Sequence, residues 1–221
     1  MRAAFYDFDG TLASSNVVTR YFYFAKRVVN PIDMIRRTST VLLGVPYWLY
    51  LDSRSRRRFN EVFYLLYHGL SERWLRRESQ RLFEKEIQPK IFGPSAGLVE
   101  ADRDEGFTPV LVTGGIDIVV EPVVENLGFD HLLANRMIFE KGRATGRIEE
   151  PLLAEEGKVK AIEDFCRQYN VDTKESKAYS DSLSDLPMLE MVGRPTAVNP
   201  DSKLRAIAVE RGWPVLNTKH S

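Results

Sequence analysis

The chain has 221 residues, with 31 basic and 31 acidic side chains and no formal net charge. That length fits one domain, or one domain with an insertion, and the balanced charge sets up no overall field that would draw nucleic acid or an anionic membrane. Apolar residues make up 43% of the chain, and Cys166 is the only cysteine, so a sizeable core is expected, an intrachain disulfide is excluded, and a reducing compartment is suited.

In chain order, residues 3–9 read as a buried strand. Ser14, Ser15 and Asn16 are cap-type residues that precede a helix. From Val17 to about Gln88 the pattern is helical and lacks strand alternation, with expected helices over 16–29, 32–50 (broken near Pro46), 55–68 and 71–87. Residues 89–94 lead back to an alternating pattern. A helix over 96–105 precedes a strand over 108–113, and a helix over 117–127 stops at Gly128. A short strand is expected over 131–134 and a hairpin over 136–148, turning at Lys141-Gly142-Arg143. Then come a helix over 155–169, a strand over 177–180 and a helix over 183–192. A strand over 195–198, a helix over 201–211 and a strand over 214–216 complete the chain. Strands alternating with helices imply an α/β fold whose mainly parallel sheet is covered on both faces. The all-helical block reads as an insertion after the first strand, which assigns 1–14 and 89–221 to the core and 15–88 to a cap.

The chemistry gathers at strand ends, where such sheets bind ligands. Phe5-Tyr6-Asp7-Phe8-Asp9-Gly10-Thr11 sets two carboxylates two residues apart, so both can face one site as the strand ends. Close carboxylates repel, and a proton or a cation must sit between them; a hard ion such as Mg²⁺ prefers oxygen ligands. Thr113 and Gly114 end a second apolar run, Lys158 falls in the first turn of a later helix, and Asp181 and Asp185 follow a third run. A lysine there opposes the helix macrodipole, so a purely structural role is unattractive.

Asp-x-Asp-Gly-Thr, a strand ending in Thr, a Lys, and a pair of Asp four apart resemble, in that order, the haloacid dehalogenase-like hydrolases, and the helical cap resembles their phosphoserine phosphatase-like branch. The resemblance implies a Rossmann-like three-layer core and a Mg²⁺-dependent phosphomonoesterase acting through an aspartyl-phosphate. It implies Asp7 as nucleophile and Asp9 as acid and base. Thr113, Gly114 and Lys158 would meet the phosphate, and Asp7, the Asp9 carbonyl, Asp181 and Asp185 would hold the metal. Two departures stand out. Gly114-Gly115 follows Thr113 where a small residue and Ser are common, and Ser180 replaces a Gly before Asp181, where it is expected to crowd the turn.

The expected partner is a small phosphorylated substrate. Phosphoserine ranks below other phosphomonoesters, because Asn16 stands where phosphoserine phosphatases carry a Glu. A phosphatase for a lipid-linked phosphate with a membrane-docking cap, a phosphotransferase and an inactive binding module are the alternatives. The apolar stretch 41–51 is too short to span a bilayer and is read as cap core rather than a membrane-facing patch, so a cytoplasmic protein is expected. Arg54, Arg56, Arg57 and Arg58 form a basic run, one of which could reach the substrate. His68, His131 and His220 lack metal-ligand spacing.

Overall fold

The first strand, β1 (Ala3–Tyr6), is buried at all four residues. Ala3 and Phe5 enter one apolar core while Ala4 and Tyr6 enter another, because successive strand side chains point to opposite sides. Such a strand belongs inside a sheet covered by helices on both faces. The structure is a computed structural model that describes residues 1–219, so His220 lies outside the described residues.

Among those residues, β1 pairs in parallel with β2 (Thr108–Ile116) on one side and β6 (Lys177–Ser180) on the other. Beyond β2 lies β3 (His131–Asn135); beyond β6 lie β7 (Arg194–Val198) and β8 (Val215–Leu216), giving the parallel order β3-β2-β1-β6-β7-β8. Residues from α5 (Ser95–Asp104) and α6 (Asp117–Leu127) share the core of Ala4 and Tyr6. Residues from α7 (Glu156–Tyr169), α8 (Leu186–Glu190) and α9 (Ser202–Glu210) share that of Ala3 and Phe5. The result is a three-layer α/β architecture. The strand order reverses at β1, so the chain leaves β1, β2 and β6 around one crevice.

Between β1 and β2 lie α1 (Val17–Ala25), α2 (Pro31–Arg54), α3 (Arg56–Tyr64) and α4 (Glu72–Leu82). Each start is fixed by a side-chain oxygen accepting a backbone N–H: Asn16 from Thr19 at 2.9 Å, Asn30 from Ile32 at 2.9 Å, Ser55 from Arg58 at 3.3 Å and Ser71 from Trp74 at 3.5 Å. Aromatic rings fill their interior, with Phe63 5.8 Å from Tyr21 and 5.5 Å from Trp48 between centroids. The expected hairpin, β4 (Met137–Glu140) and β5 (Arg143–Ile148), braces this insertion. Gly69 donates to the Ala144 carbonyl at 2.8 Å, Ala144 to Leu70 at 2.8 Å, and Glu72 to Gly142 at 3.0 Å.

Several expectations need correction. β1 ends at Tyr6 rather than Asp9, and β2 continues past Thr113 to Ile116. α2 runs without a break through Pro46; Arg37 and Val41 before the proline and Trp48 after it are all buried on one side, holding both halves in line despite the missing N–H. The stretch 41–51 is not core. Only Val41 and Trp48 within it are buried, because just one side of α2 has helices to pack against. His68 and His131 are structural: His68 Nδ1 lies 3.2 Å from the Thr145 carbonyl, and the His131 ring packs on Phe165 and Tyr169.

Candidate active site

Asp7 is the first residue past β1, and its N–H still donates to the Tyr179 carbonyl at 2.9 Å. The chain then turns through Gly10, at φ +88°, where an added Cβ would sit 1.9 Å from Asp181 Oδ2. Only glycine allows both the left-handed backbone and this approach, which presses the loop after β1 against the end of β6. Thr11 Oγ1 stands 3.3 Å from Asp7 Oδ2 and 3.3 Å from Asp181 Oδ1. One hydroxyl proton thus serves two carboxylates. Burial pushes Asp7 up to about 6, with Asp185 and Asp9 adding to it, and Asp181 up to about 7, with Asp7 and Asp185 adding to it, against an ordinary 3.8; Lys158 opposes both shifts.

The other oxygen of Asp7, Oδ1, accepts from Lys158 Nζ at 2.6 Å, and the same ammonium reaches Asp185 at 2.9 Å. Burial alone would depress the lysine, but Asp185 and Asp7 raise it, so it carries its charge in a helix first turn that otherwise disfavours a cation. Gly157 permits that placement: a Cβ there would lie 1.9 Å from the Leu152 carbonyl. Ser180 does not crowd the turn. Its hydroxyl donates to Asp185 at 2.8 Å and helps hold that carboxylate against Lys158.

Asp9 is gripped by a residue the sequence reading did not single out. Arg20 Nη1 donates to Asp9 Oδ1 at 2.8 Å and Nη2 to Oδ2 at 2.5 Å, and Ser15 Oγ donates to Oδ1 at 2.5 Å. Arg20 is buried, yet Asp9 holds its guanidinium above the ordinary value. At the end of β2, Thr113 Oγ1 accepts from the Gly115 N–H at 3.0 Å. The Gly114 carbonyl accepts from Asn135 Nδ2 at 2.7 Å and from the Tyr64 hydroxyl. Asn135 Oδ1 in turn accepts from Leu153 N at 2.7 Å. These bonds fix the glycine pair that stands where the resembled branch commonly carries a small residue and Ser.

Asp7, Asp9, Thr113, Gly114, Lys158, Asp181 and Asp185 all line one cavity of about 120 Å³, roofed by Val17, Arg56 and Asn60 of the insertion. Arg56 is therefore the member of the basic run that reaches the site. Asp52, 2.6 Å away, and the carboxylates of Asp9 and Asp7 hold its half-buried guanidinium above the ordinary value. Among the described residues no three His, Cys, Asp or Glu side chains close around a common point. Of the four acids expected at a metal, Asp7 and Asp181 face each other, whereas Asp9 is turned to Arg20 and Asp185 to Lys158 and Ser180. A buried and a half-buried carboxylate opposed across one hydroxyl are a hard-oxygen donor set short of positive charge, which fits a small divalent ion such as Mg²⁺.

The haloacid dehalogenase-like hydrolase family profile matches residues 4–190. A probable phosphatase of Mycobacterium tuberculosis is 31% identical over 217 residues, 97% of this chain and 75% of that protein. A solved structure of a protein of unknown function from Bordetella pertussis Tohama I superposes with a TM-score of 0.84 at 28% identity, covering 97% of each chain. A phospho-aspartyl intermediate analogue of phosphoserine phosphatase superposes at 0.70 with 19% identity, covering 99% of this chain and 93% of the other. The last likeness shows a shared fold.

Proposed function

The chain belongs to the haloacid dehalogenase-like hydrolase family, and from that premise we propose that it is a phosphatase that cleaves a small phosphorylated metabolite through an aspartyl-phosphate on Asp7. The observation that carries this reading is the asymmetry of Asp7. Lys158 occupies Oδ1 at 2.6 Å, while Oδ2 has only the longer Thr11 contact at 3.3 Å and belongs to a residue lining the cavity.

In the first step Asp7 Oδ2 attacks phosphorus. The P–O bond to the leaving alcohol breaks as the new P–Oδ2 bond forms, and Asp9 gives its proton to the departing oxygen. In the second step Asp9 takes a proton from water, which attacks the same phosphorus and frees Asp7 and inorganic phosphate. Lys158 offsets the charge on Asp7 and the phosphoryl group, and Thr113 and the Gly114 backbone meet its oxygens. Mg²⁺, when bound, would neutralise the phosphate and the facing carboxylates; Asp7, Asp181 and the Asp9 carbonyl would hold it, with Asp185 behind them.

Residues 15–88 act as the cap and select the leaving group, with 1–14 and 89–221 as the core. One feature supports a substrate other than phosphoserine. The Asn16 side chain accepts from Thr19 N at 2.9 Å, which commits it to capping α1 rather than to a substrate amine. A phosphatase screen over a panel of phosphorylated metabolites tests the reading. Activity should require Mg²⁺, disappear with EDTA, and disappear in Asp7→Asn; full turnover by that variant removes Asp7 as the nucleophile.

A further inference from the structure

α2 is held by one side only. Arg37, Val41 and Trp48 are buried on its inner side. Arg37 donates to the Tyr21 hydroxyl at 3.2 Å, the Leu66 carbonyl at 2.6 Å and the His68 carbonyl at 2.9 Å, which fixes the rotation of the helix about its axis. Ile32, Ile35, Leu42, Leu43, Leu49 and Tyr50 are thereby turned outward, with Leu43 83% and Ile32 79% exposed. At 100° per residue these six, with Ser39 and Pro46 between them, form one continuous sector of the helix. Neither of the helix's acids lies in it. Asp33 pairs with Arg36 and Arg37, and Asp52 with Arg56.

The charge around this sector is one-sided. Residues 26–58 hold eight Lys and Arg against two Asp, a net of +6 in a chain whose total is zero; of the eight, Arg37 faces inward, Arg56 lines the cavity and Arg57 pairs with Glu61 and Glu150. Arg36 and Arg54 border the apolar sector near its two ends, and Lys26 and Arg27 immediately precede the helix.

We propose that α2 is the docking face of this protein for an anionic lipid bilayer. The helix lies in the plane of the surface, its outward row in the boundary between headgroups and acyl chains and its arginines on anionic headgroups. It lies on the membrane rather than through it: among the described residues no helix is long and apolar enough to cross. The charge pattern speaks against a second copy of the chain as the occupant. An antiparallel pair of α2 helices centred on Val45 sets Arg36 against Arg54 of the other, and a parallel pair sets each arginine against itself. An anionic surface complements both ends at once. α2 also runs through Ser55 into Arg56, which lines the catalytic cavity, so docking brings that cavity close to the surface.

Docking is independent of the reaction in the cavity and is measured without substrate, by co-sedimentation of the full chain with two vesicle types. One is phosphatidylcholine alone, the other phosphatidylcholine mixed equally with phosphatidylglycerol. The chain should partition onto the mixed vesicles at low salt, weakly onto the neutral ones, and less as salt rises. Leu43→Glu with Leu49→Glu, both on the exposed face, should lower partitioning by about tenfold or more. Arg36→Gln with Arg54→Gln, which leaves the apolar row intact, should lower it by roughly fivefold per arginine on anionic vesicles and leave neutral vesicles unchanged. Unchanged melting temperatures establish that both variants fold. Absence of binding to the anionic vesicles, or binding indifferent to both double variants, overturns the proposal. So does a dimer in solution that Leu43→Glu with Leu49→Glu converts to monomer, which assigns the face to a second copy.

Discussion

Arg20 and Asp9 form a two-pronged ion pair, 2.8 and 2.5 Å, between the first helix of the insertion and the loop that carries Asp7. Two parallel N–H···O bonds fix the plane of a carboxylate as well as its position. Both oxygens of Asp9 are thereby engaged, so in the proposed reaction one prong must loosen when Asp9 passes a proton to the leaving group. Arg20 is thus a positioning residue for proton transfer. Arg20→Met should lower kcat/KM for an alkyl phosphate by at least about tenfold more than for p-nitrophenyl phosphate, whose leaving group needs little protonation. Equal losses on both substrates would reduce Arg20 to a fold-stabilising role.

The Asp7 and Asp181 carboxyls titrate higher in the folded chain, at about 6 and about 7, than the ordinary 3.8. A folded-state pKa raised this way contributes stability that is fully present below about pH 4 and is lost as pH rises through 6 and 7. The metal-free chain should therefore lose melting temperature between pH 5 and pH 8, and Mg²⁺ should raise it more at pH 8 than at pH 5. Asp181→Asn should shrink both effects. Melting curves with EDTA and with Mg²⁺ at the two pH values check this; an equal response to Mg²⁺ at both contradicts it.

Gly10→Ala combines a positive φ with a Cβ only 1.9 Å from Asp181 Oδ2. Relief must come from moving the loop that carries Asp7 or the carboxylate of Asp181. The substitution should cost about 1–3 kcal/mol of stability and about a hundredfold or more in turnover, since displacements near 1 Å are that costly at a reacting centre. Wild-type turnover in a well-folded Gly10→Ala would show that Asp7 and Asp181 need not be this close.

A buried carboxylate away from the cavity serves the fold. Asp102 accepts from Lys177 Nζ at 2.7 Å, from the Tyr179 hydroxyl at 3.2 Å and from the Tyr6 hydroxyl, and the two tyrosine rings stack at 4.5 Å. Asp102→Ala strands these donors and should cost about 3–5 kcal/mol, read from denaturant unfolding, with activity unchanged in the molecules that remain folded. A loss under about 1 kcal/mol would mean that water replaces the carboxylate.

The charged groups of the candidate site were legible because their chemistry is scarce. Few roles other than charge handling suit Asp7, Asp9, Lys158, Asp181 and Asp185 at strand ends and helix starts, and the chain brings them to one cavity. Arg20 was illegible because an arginine near a helix start reads as solvated until the fold returns it to Asp9. Ser180 looked like a steric fault in the turn, and only the position of Asp185 shows what its hydroxyl does. The stretch 41–51 misled for a similar reason. Composition says that a residue is apolar, while only the placement of α1 and α3 says which side of α2 they cover.

The hairpin has a mechanical meaning for entry of substrate. Its bonds to Gly69, Leu70 and Glu72 moor the far end of the insertion to the same chain segment that leads, through Leu153 and Asn135, to the floor of the cavity. The roof therefore cannot swing away on the two linkers alone. To lift away, the roof must break these bonds as well, so the Ala144 amide, which donates to the Leu70 carbonyl, should exchange with solvent at the rate the enclosure opens.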